Sequence, residues 1–367
     1  MQEAGVGMTQ ILSVRTAFPA YRYPQATFTA KLAEIFGLDD GQRPQLERLY
    51  RKAGVDTRHT VIPLEEIGTL RGIEASNQRY VEEATVLGER AVRTALDAAG
   101  RAPRDVDLLI VTSVTGVVVP SLDARLIPRL GLRPDVKRLP VFGLGCVAGA
   151  AGLARLHDYL LAWPHHTAAL LAIELCSLTF PTSDFTMAEI VGSSLFGDGA
   201  AAVVGTGEMP PPQAVLPPAS GDGRCPKVIA TRSEVYPSSG DVLGWRVGED
   251  SFRIVLLPEL VDIVERHIGG TVTSFLAEHD LTVNDITTWM IHPGGPKVIN
   301  AVRTGLKLPE SAVEPSRRAL AEAGNLSSVS VLHILHNTVA DGVSPGSFGL
   351  MIGLGPGVSA ELVLLQW

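Results

Sequence analysis

Apolar and polar residues along the chain occur in blocks that predict strands followed by helices. The run DLLIVTSV at 107–114 is almost continuously apolar, which is typical of a strand covered on both faces. Helical spacing follows at 121–132, and further strands are predicted at 138–144 (RLPVFGL) and 168–175 (AALLAIEL), with a helix from Cys146 towards Leu161 between them. This alternation predicts an α/β fold with a central sheet and helices on its faces.

A proline- and glycine-rich stretch, GEMPPPQAVLPPASGDG at 207–223, interrupts this pattern. The pattern then restarts with DITTWMIHPGG at 285–295, which resembles the first strand segment in kind, and closing strands are predicted at 343–355 and 359–367. We therefore divide the chain into halves at 1–210 and 211–367. The element order favours a duplicated α/β unit with a pseudo-twofold axis.

Composition narrows the class of protein. The 367 residues are 46% hydrophobic and 19% charged, as in a well-buried globular enzyme, and the net charge of −8 argues against nucleic acid as the main partner. Three cysteines predict a reducing compartment rather than a disulfide framework. The first residues carry no signal-peptide pattern and no apolar run reaches the length of a membrane span, so we expect a soluble, cytoplasmic protein.

The segment VFGLGCVAGAAG at 141–152 holds the most reactive candidate, Cys146. It lies where a predicted strand ends and a helix begins, and the N–H groups of a first helical turn favour a thiolate. Packing as a small hydrophobe is the alternative. A loose dinucleotide-loop pattern is also present, but no acidic residue follows at the expected distance.

Two residues of the second half complete a catalytic hypothesis. His292 ends a predicted strand, at the sheet edge where open α/β folds build their sites, whereas His333 and His336 lie on a helix without a third metal ligand. Asn325 lies at a helix start and is expected to cap it. Its amide could alternatively join His292 as a pair of donors to a developing oxyanion.

These residues sit in segments that resemble the type III polyketide synthases, the chalcone-synthase-like branch of the thiolase superfamily. The matching segments are GCVAGAAGLARLHDYL, ELCSLTF, GSSLFGDGAAAVV, IHPGGPKVI, GNLSSVSVLHIL and GLGPGVSAELVLL, in the family's order. The ketoacyl-carrier-protein synthases III share the Cys–His–Asn set, but their histidine typically lies in an HQAN-like turn, whereas this chain has HPGGP.

The resemblance implies a thiolase-like αβαβα fold with two related halves, a homodimer and an acyltransferase that needs no metal, nicotinamide or flavin. Acyl-CoA and malonyl-CoA would be its substrates. Cys146, as a thiolate beside a protonated His292, would hold the acyl chain, and malonyl-CoA would lose CO₂ to give an enolate. His292 and Asn325 would stabilise that enolate, and Claisen condensation would lengthen the chain.

The resemblance also implies residues that shape the cavity and bind CoA. Phe196 and Phe252 correspond to gating phenylalanines, Cys176 to a pocket position, Val119 to a loop that reaches the partner's cavity, and Leu354 to a cavity-shaping loop; Arg48 and Lys52 align with residues that hold CoA phosphates. A solvated helix face is the alternative for these two cations.

The substrate is inferred from the loop at 117–119. Three valines there predict a medium- or long-chain fatty acyl starter and an alkylresorcinol or alkylpyrone product. Malonyl-primed synthesis of a tetrahydroxynaphthalene is the alternative within the family, and a single condensation of the synthase III kind is the alternative outside it.

Overall fold

The structure is a computed structural model that describes residues 7–70, 72–180, 185–208, 225–248 and 251–367. Its strands are β1 Thr9–Ala17, β2 Tyr21–Pro24, β3 Thr57–Thr60, β4 Val106–Thr112, β5 Lys137–Val141, β6 Thr167–Leu175, β7 Asp198–Thr206, β8 Lys227–Val235, β9 Leu243–Val247, β10 Phe252–Leu256, β11 Ile286–Ile291, β12 Phe348–Gly355 and β13 Ser359–Gln366. Its helices are α1 Gln25–Ile35, α2 Arg43–Arg51, α3 Gly72–Ala99, α4 Leu122–Leu130, α5 Ala148–Ala162, α6 Met187–Leu195, α7 Glu259–Ala277, α8 Pro296–Leu306, α9 Glu310–Ala323 and α10 Ser330–Asp341.

Nine strands form one sheet in the order β11-β12-β13-β8-β1-β7-β6-β4-β5. Its two sides repeat each other. In the first half β4 and β6 are parallel, and β6–β7 and β7–β1 are antiparallel. In the second half β11 and β12 are parallel, and β12–β13 and β13–β8 are antiparallel. The predicted duplication is thereby confirmed, and β1 joins the two halves because it also pairs with β8.

The repeat extends to the connections. A 3-10 turn at Pro103–Asp105 leads from α3 into β4, and another at Val283–Asp285 leads from α7 into β11. In both turns the aspartate carboxylate accepts a hydrogen bond from the backbone N–H three residues earlier, at 2.8 Å in the first and 2.7 Å in the second. The same hydrogen bond from a backbone N–H to an aspartate therefore precedes the equivalent strands β4 and β11.

The predicted strands at 107–114, 168–175 and 285–295 are confirmed as β4, β6 and β11. The strand predicted at 138–144 forms as β5, but it is an exposed edge strand rather than a buried one. The boundary between 210 and 211 lies outside the described residues. Within the residues that the structure describes, no helix is both long enough and apolar enough to cross a membrane.

Helices α5 and α10 pack together in the centre of the molecule. Their apolar faces share one core cluster with residues of β1, β6 and β13. Two further clusters lie under the outer helices, one between α3, α4 and the first half of the sheet and one between α7, α8 and the second half. The layers place the N-terminal ends of α5 and α10 side by side, which is where the candidate site lies.

Candidate active site

Cys146 lies in a 3-10 turn, Gly145–Val147, that leads directly into α5. Gly145 has a φ of 60°, and a Cβ there would stand 2.7 Å from the Cδ of Pro356. Both observations require glycine at this position, because a side chain would strain the backbone and collide with the proline. The turn holds Cys146 in the wall of a cavity of about 110 Å³.

The sulfur of Cys146 is tied to the second half of the chain. Its Sγ donates a weak hydrogen bond to the Oγ of Ser327 at 3.5 Å. Burial, reinforced by the nearby charge of Glu174, raises the pKa of the Cys146 thiol to about 12. The site by itself therefore favours the neutral thiol, unlike the thiolate that the family resemblance implies.

Asn325 precedes the 3-10 turn Ser327–Val329 and α10, and it does cap this helix start. Its Oδ1 accepts hydrogen bonds from the Ser327 N–H at 2.8 Å and the Ser330 hydroxyl at 3.3 Å. The backbone of Asn325 pairs with the end of α6, because its N–H donates to the Leu195 carbonyl at 2.8 Å and its carbonyl accepts from Gly197 at 3.1 Å. With Oδ1 engaged as an acceptor, the Nδ2 group is the part of the amide that can donate to a ligand.

His292 follows β11 at the carboxyl end of the parallel pair β11–β12, as predicted. Its N–H donates to the Ile352 carbonyl of β12 at 2.8 Å. Its side chain is buried, and its Nδ1 has no hydrogen-bond partner among the described residues. Burial lowers the pKa of His292 to about 3, which favours the neutral imidazole. The buried Nδ1 is therefore available to exchange a hydrogen bond with a substrate.

The architecture brings Cys146 and His292 to the same edge although they are distant in sequence. β12, which accepts the backbone hydrogen bond from His292, packs against the turn that carries Cys146, since a Cβ at Gly355 would stand 2.7 Å from the backbone nitrogen of Val147. Asn325 lies two residues before Ser327, which begins the facing 3-10 turn and accepts the hydrogen bond from the Cys146 thiol. Cys146 therefore lies in the cavity wall, Asn325 is linked to it through Ser327, and His292 is buried at the sheet edge against which the turn of Cys146 packs.

Glu174 is a residue of this site that the sequence analysis did not identify as functional. It lies fully buried in β6, and its Oε2 accepts hydrogen bonds from the Val114 N–H at 3.1 Å and the Thr115 hydroxyl at 3.0 Å. Its Oε1 accepts from the Ser328 and Ser327 hydroxyls at 2.5 and 3.4 Å. Burial raises the pKa of Glu174 to about 7. An acidic residue inside the apolar run AALLAIEL was the signal that could have identified it.

The cavity wall contains four of the residues predicted to lie there: Cys146, Cys176, Phe196 and Phe252. Cys176 is buried, and desolvation raises the pKa of its thiol well above the ordinary range. Hydroxyl-bearing side chains of Thr115, Thr179, Ser193 and Ser327 also contribute to the wall. A second, smaller pocket of about 20 Å³ shares Thr115, Thr179, Phe180 and Phe252 with it. The space beside Cys146 is therefore bounded by both aromatic and polar groups.

The structure does not place Leu354 in this wall. It is buried in the core cluster of the second half, and Pro356 of the same segment lines the cavity instead. Leu354 packs with Ile352 and Leu350 under the outer helices, as residues two apart on one strand face do, whereas Pro356 lies beyond the end of β12 at Gly355.

Three other predicted residues lie on the surface. Val119 is 93% exposed and contributes nothing to the cavity of its own chain. Arg48 lies on α2 and Lys52 directly follows that helix; both are exposed, and neither forms an ion pair within the described part of the chain. Their placement leaves them accessible to an anionic ligand.

Comparison with known proteins identifies the family. The profile of "Chalcone and stilbene synthases, N-terminal domain" matches residues 1–209, and that of the C-terminal domain matches 227–367. A 1,3,6,8-tetrahydroxynaphthalene synthase of Streptomyces peucetius subsp. caesius is 47% identical over 98% of this chain and 93% of its own. A 3,5-dihydroxyphenylacetyl-CoA synthase of Amycolatopsis balhimycina is 31% identical over 98% and 93%. The crystal structure of a 1,3,6,8-tetrahydroxynaphthalene synthase from Streptomyces coelicolor A3(2), a bacterial type III polyketide synthase, superposes with a TM-score of 0.88 at 30% identity and covers 98% of this chain and 99% of that one.

Proposed function

Because the chain belongs to the chalcone and stilbene synthase family and is a type III polyketide synthase, we propose that it uses malonyl-CoA as both starter and extender to make a tetrahydroxynaphthalene. The observation that carries this is the 47% identity, over almost the whole chain, to a synthase named for that product. The polar groups of the cavity wall support it, because a chain with a carbonyl at every second carbon needs hydrogen-bond partners. No comparison supports the fatty acyl starter that the valine loop predicted.

We propose that Cys146 is the nucleophile. Its sulfur attacks the thioester carbonyl of malonyl-CoA, the C–S bond to CoA breaks, and the thiol proton passes through His292 to the departing CoA thiolate. The pKa values set by burial, about 12 for Cys146 and about 3 for His292, hold this proton on sulfur. Proton transfer therefore belongs to the step in which substrate is bound, when the CoA thiolate provides an acceptor.

His292 and Asn325 serve the second step. A further malonyl-CoA loses CO₂, and the electron pair of the broken C–C bond forms an enolate whose oxygen accepts from the Asn325 Nδ2 and His292. The enolate carbon attacks the Cys146 thioester, a C–C bond forms, and the sulfur leaves as a thiolate. The lengthened chain on CoA then returns to Cys146 by another thioester exchange. Fixed donors at the developing oxyanion supply most of the acceleration.

The test uses the purified protein with uniformly ¹³C-labelled malonyl-CoA as the sole substrate. We expect a tetrahydroxynaphthalene in which every carbon is labelled, and no product from Cys146→Ala. Product formation that begins only when a medium- or long-chain acyl-CoA is added would contradict malonyl priming and restore the fatty acyl hypothesis. Product formed only from malonyl groups on an acyl carrier protein would instead favour the single-condensation alternative.

We also propose that the protein is a homodimer. Apolar side chains are exposed on the loop after β4, on edge strand β5 and on the segment that leads to Cys146, namely Val117, Val119, Leu139, Phe142 and Leu144. Exposed apolar side chains on neighbouring segments favour an interface. The mass in solution tests this: a dimer that Phe142→Asp converts to a monomer is expected, and a monomeric wild-type protein at micromolar concentration would contradict it.

A further inference from the structure

One wall of the cavity is a two-stranded ribbon that stands apart from the main sheet. β9 and β10 pair only with each other among the described strands. Five of their residues face the cavity: Leu243, Gly244, Trp245, Phe252 and Ile254. A two-stranded ribbon has little stability of its own, so its position depends on the contacts that hold it to the rest of the protein.

An ion pair joins this ribbon to α6. The Arg253 Nη1 donates to the Glu189 Oε1 at 3.2 Å, and the Glu189 side chain is only 3% exposed. The other oxygen, Oε2, accepts from the Thr186 N–H at 2.7 Å and the Thr186 hydroxyl at 3.0 Å. Thr186 therefore fixes the Glu189 carboxylate at the start of α6 independently of Arg253. Because this buried partner is already oriented, its charged hydrogen bond with Arg253 is stronger.

The same pair adjoins the residues that shape the cavity. Arg253 directly follows Phe252, whose ring lies 4.3 Å from that of Trp245, and Glu189 itself contributes to the cavity wall. Within the ribbon, Arg253 lies directly opposite Arg246, and two like charges in such a pair repel each other. Glu189 supplies the negative charge that offsets this repulsion on the side of the cavity.

We infer that Glu189 and Arg253 are positioning residues that hold the β9–β10 ribbon, and with it Phe252, over the cavity, so that the growing chain stays enclosed until the last condensation. This inference rests on the proposed malonyl-primed function. A chain that can leave early would close on itself as a short lactone, by attack of an enol oxygen on its own thioester carbonyl with release of the thiol. Loosening the ribbon should therefore change which products form more than it changes the rate of the first condensation.

The experiment compares Glu189→Gln, Arg253→Gln and the double variant. Glutamine retains the capping interaction with Thr186, so Glu189→Gln removes the charge of the pair while it keeps the helix start. Arg246→Gln is the matched control, because Arg246 is on the same ribbon, is 73% exposed and lies 3.8 Å from Asp241. Three quantities are measured: the ratio of short lactones to full-length product, kcat and KM for malonyl-CoA, and hydrogen exchange at Phe252–Leu256.

We expect each single variant to raise the lactone ratio roughly fivefold or more, with faster exchange in β10 and a larger change in product ratio than in kcat. The double variant should be no worse than either single variant, Arg253→Lys should restore part of the product ratio, and Arg246→Gln should behave as the wild type. Unchanged product ratios in both single variants, or effects that add in the double variant, would overturn the inference. A wild-type protein that makes no product from malonyl-CoA alone would refute the proposed function instead. The wild-type reaction therefore distinguishes that outcome from a failure of this inference.

Discussion

Gly145 and Ser327 are equivalent residues of the two halves, and both have a left-handed backbone, with φ of 60° and 50°. Each opens the 3-10 turn that leads into a central helix, α5 in one half and α10 in the other. Counting forward from them, Ser328 occupies in the second half the place that Cys146 occupies in the first. The two halves therefore carry a thiol, that of Cys146, and a hydroxyl, that of Ser328, at equivalent positions. Only Cys146 is predicted to act as a nucleophile.

Gly145→Ala is expected to destabilise the protein by about 2 kcal/mol or more, because alanine there combines left-handed strain with a contact of 2.7 Å to Pro356. Gly143→Ala is the matched control. Gly143 has a φ of 91°, but nothing lies within 4 Å of the position of its Cβ, so only the strain remains. Urea unfolding measures both. Equal losses for the two variants would show that the contact with Pro356 is relieved at little cost.

Asn325→Asp should separate the role of the side-chain acceptor Oδ1 from that of the donor Nδ2. The aspartate keeps an acceptor for the Ser327 N–H and Ser330, so the helix start and the fold should be retained. It has no NH₂ group, and we expect decarboxylation of malonyl-CoA to slow by about 10²-fold or more. Release of ¹⁴CO₂ measures this step. Asn325→Ala loses both parts, so it should be less stable as well as inactive; an active Asn325→Asp protein would show that Nδ2 is not needed.

Glu174→Gln should make Cys146 more reactive at a given pH, because the Glu174 charge contributes to raising the pKa of the thiol. The rate of alkylation by iodoacetamide is followed against pH, and its rise should move to lower pH in the variant. Glu361→Gln is a suitable control, since Glu361 is another buried carboxyl, in β13, whose pKa is raised by burial. A profile that moves equally in both variants, or in neither, would contradict an electrostatic effect of Glu174 on the sulfur.

Acid should destabilise the protein partly through His333, which is buried on α10 beside Thr16 and Asn337. Burial first, and then the charges of His336, Arg318 and His59, lower the pKa of His333 from 6.5 to about 4. As the pH falls below 6.5, the unfolded chain binds a proton that the folded protein does not, so the free energy of unfolding falls by about 2 kcal/mol at pH 5. His333→Gln should lose less stability than the wild type between pH 7 and pH 5. Parallel losses in urea unfolding would contradict this.

The fold could be predicted where the residues of a single segment determine its secondary structure. The apolar run of β6 and the strand-end position of His292 are local properties, and both were predicted. The environment of Glu174 could not be predicted, because it depends on hydroxyls from the loop after β4 and from the 3-10 turn before α10, which meet only in three dimensions. The pKa of Cys146 depends on the same kind of contact: the helix start is visible in the sequence, whereas burial next to a carboxyl group is not.

Strand β1 lies between β7 and β8, at the junction of the two halves, and pairs Ile11 with Gly205. During synthesis, therefore, β1 leaves the ribosome well before its partners β7 and β8, which emerge only after most of the first half and the beginning of the second have been made. Closing so long a loop is slow. In cells, β1 stays unpaired and exposed over that interval. We therefore expect the folding of this enzyme to depend on chaperones.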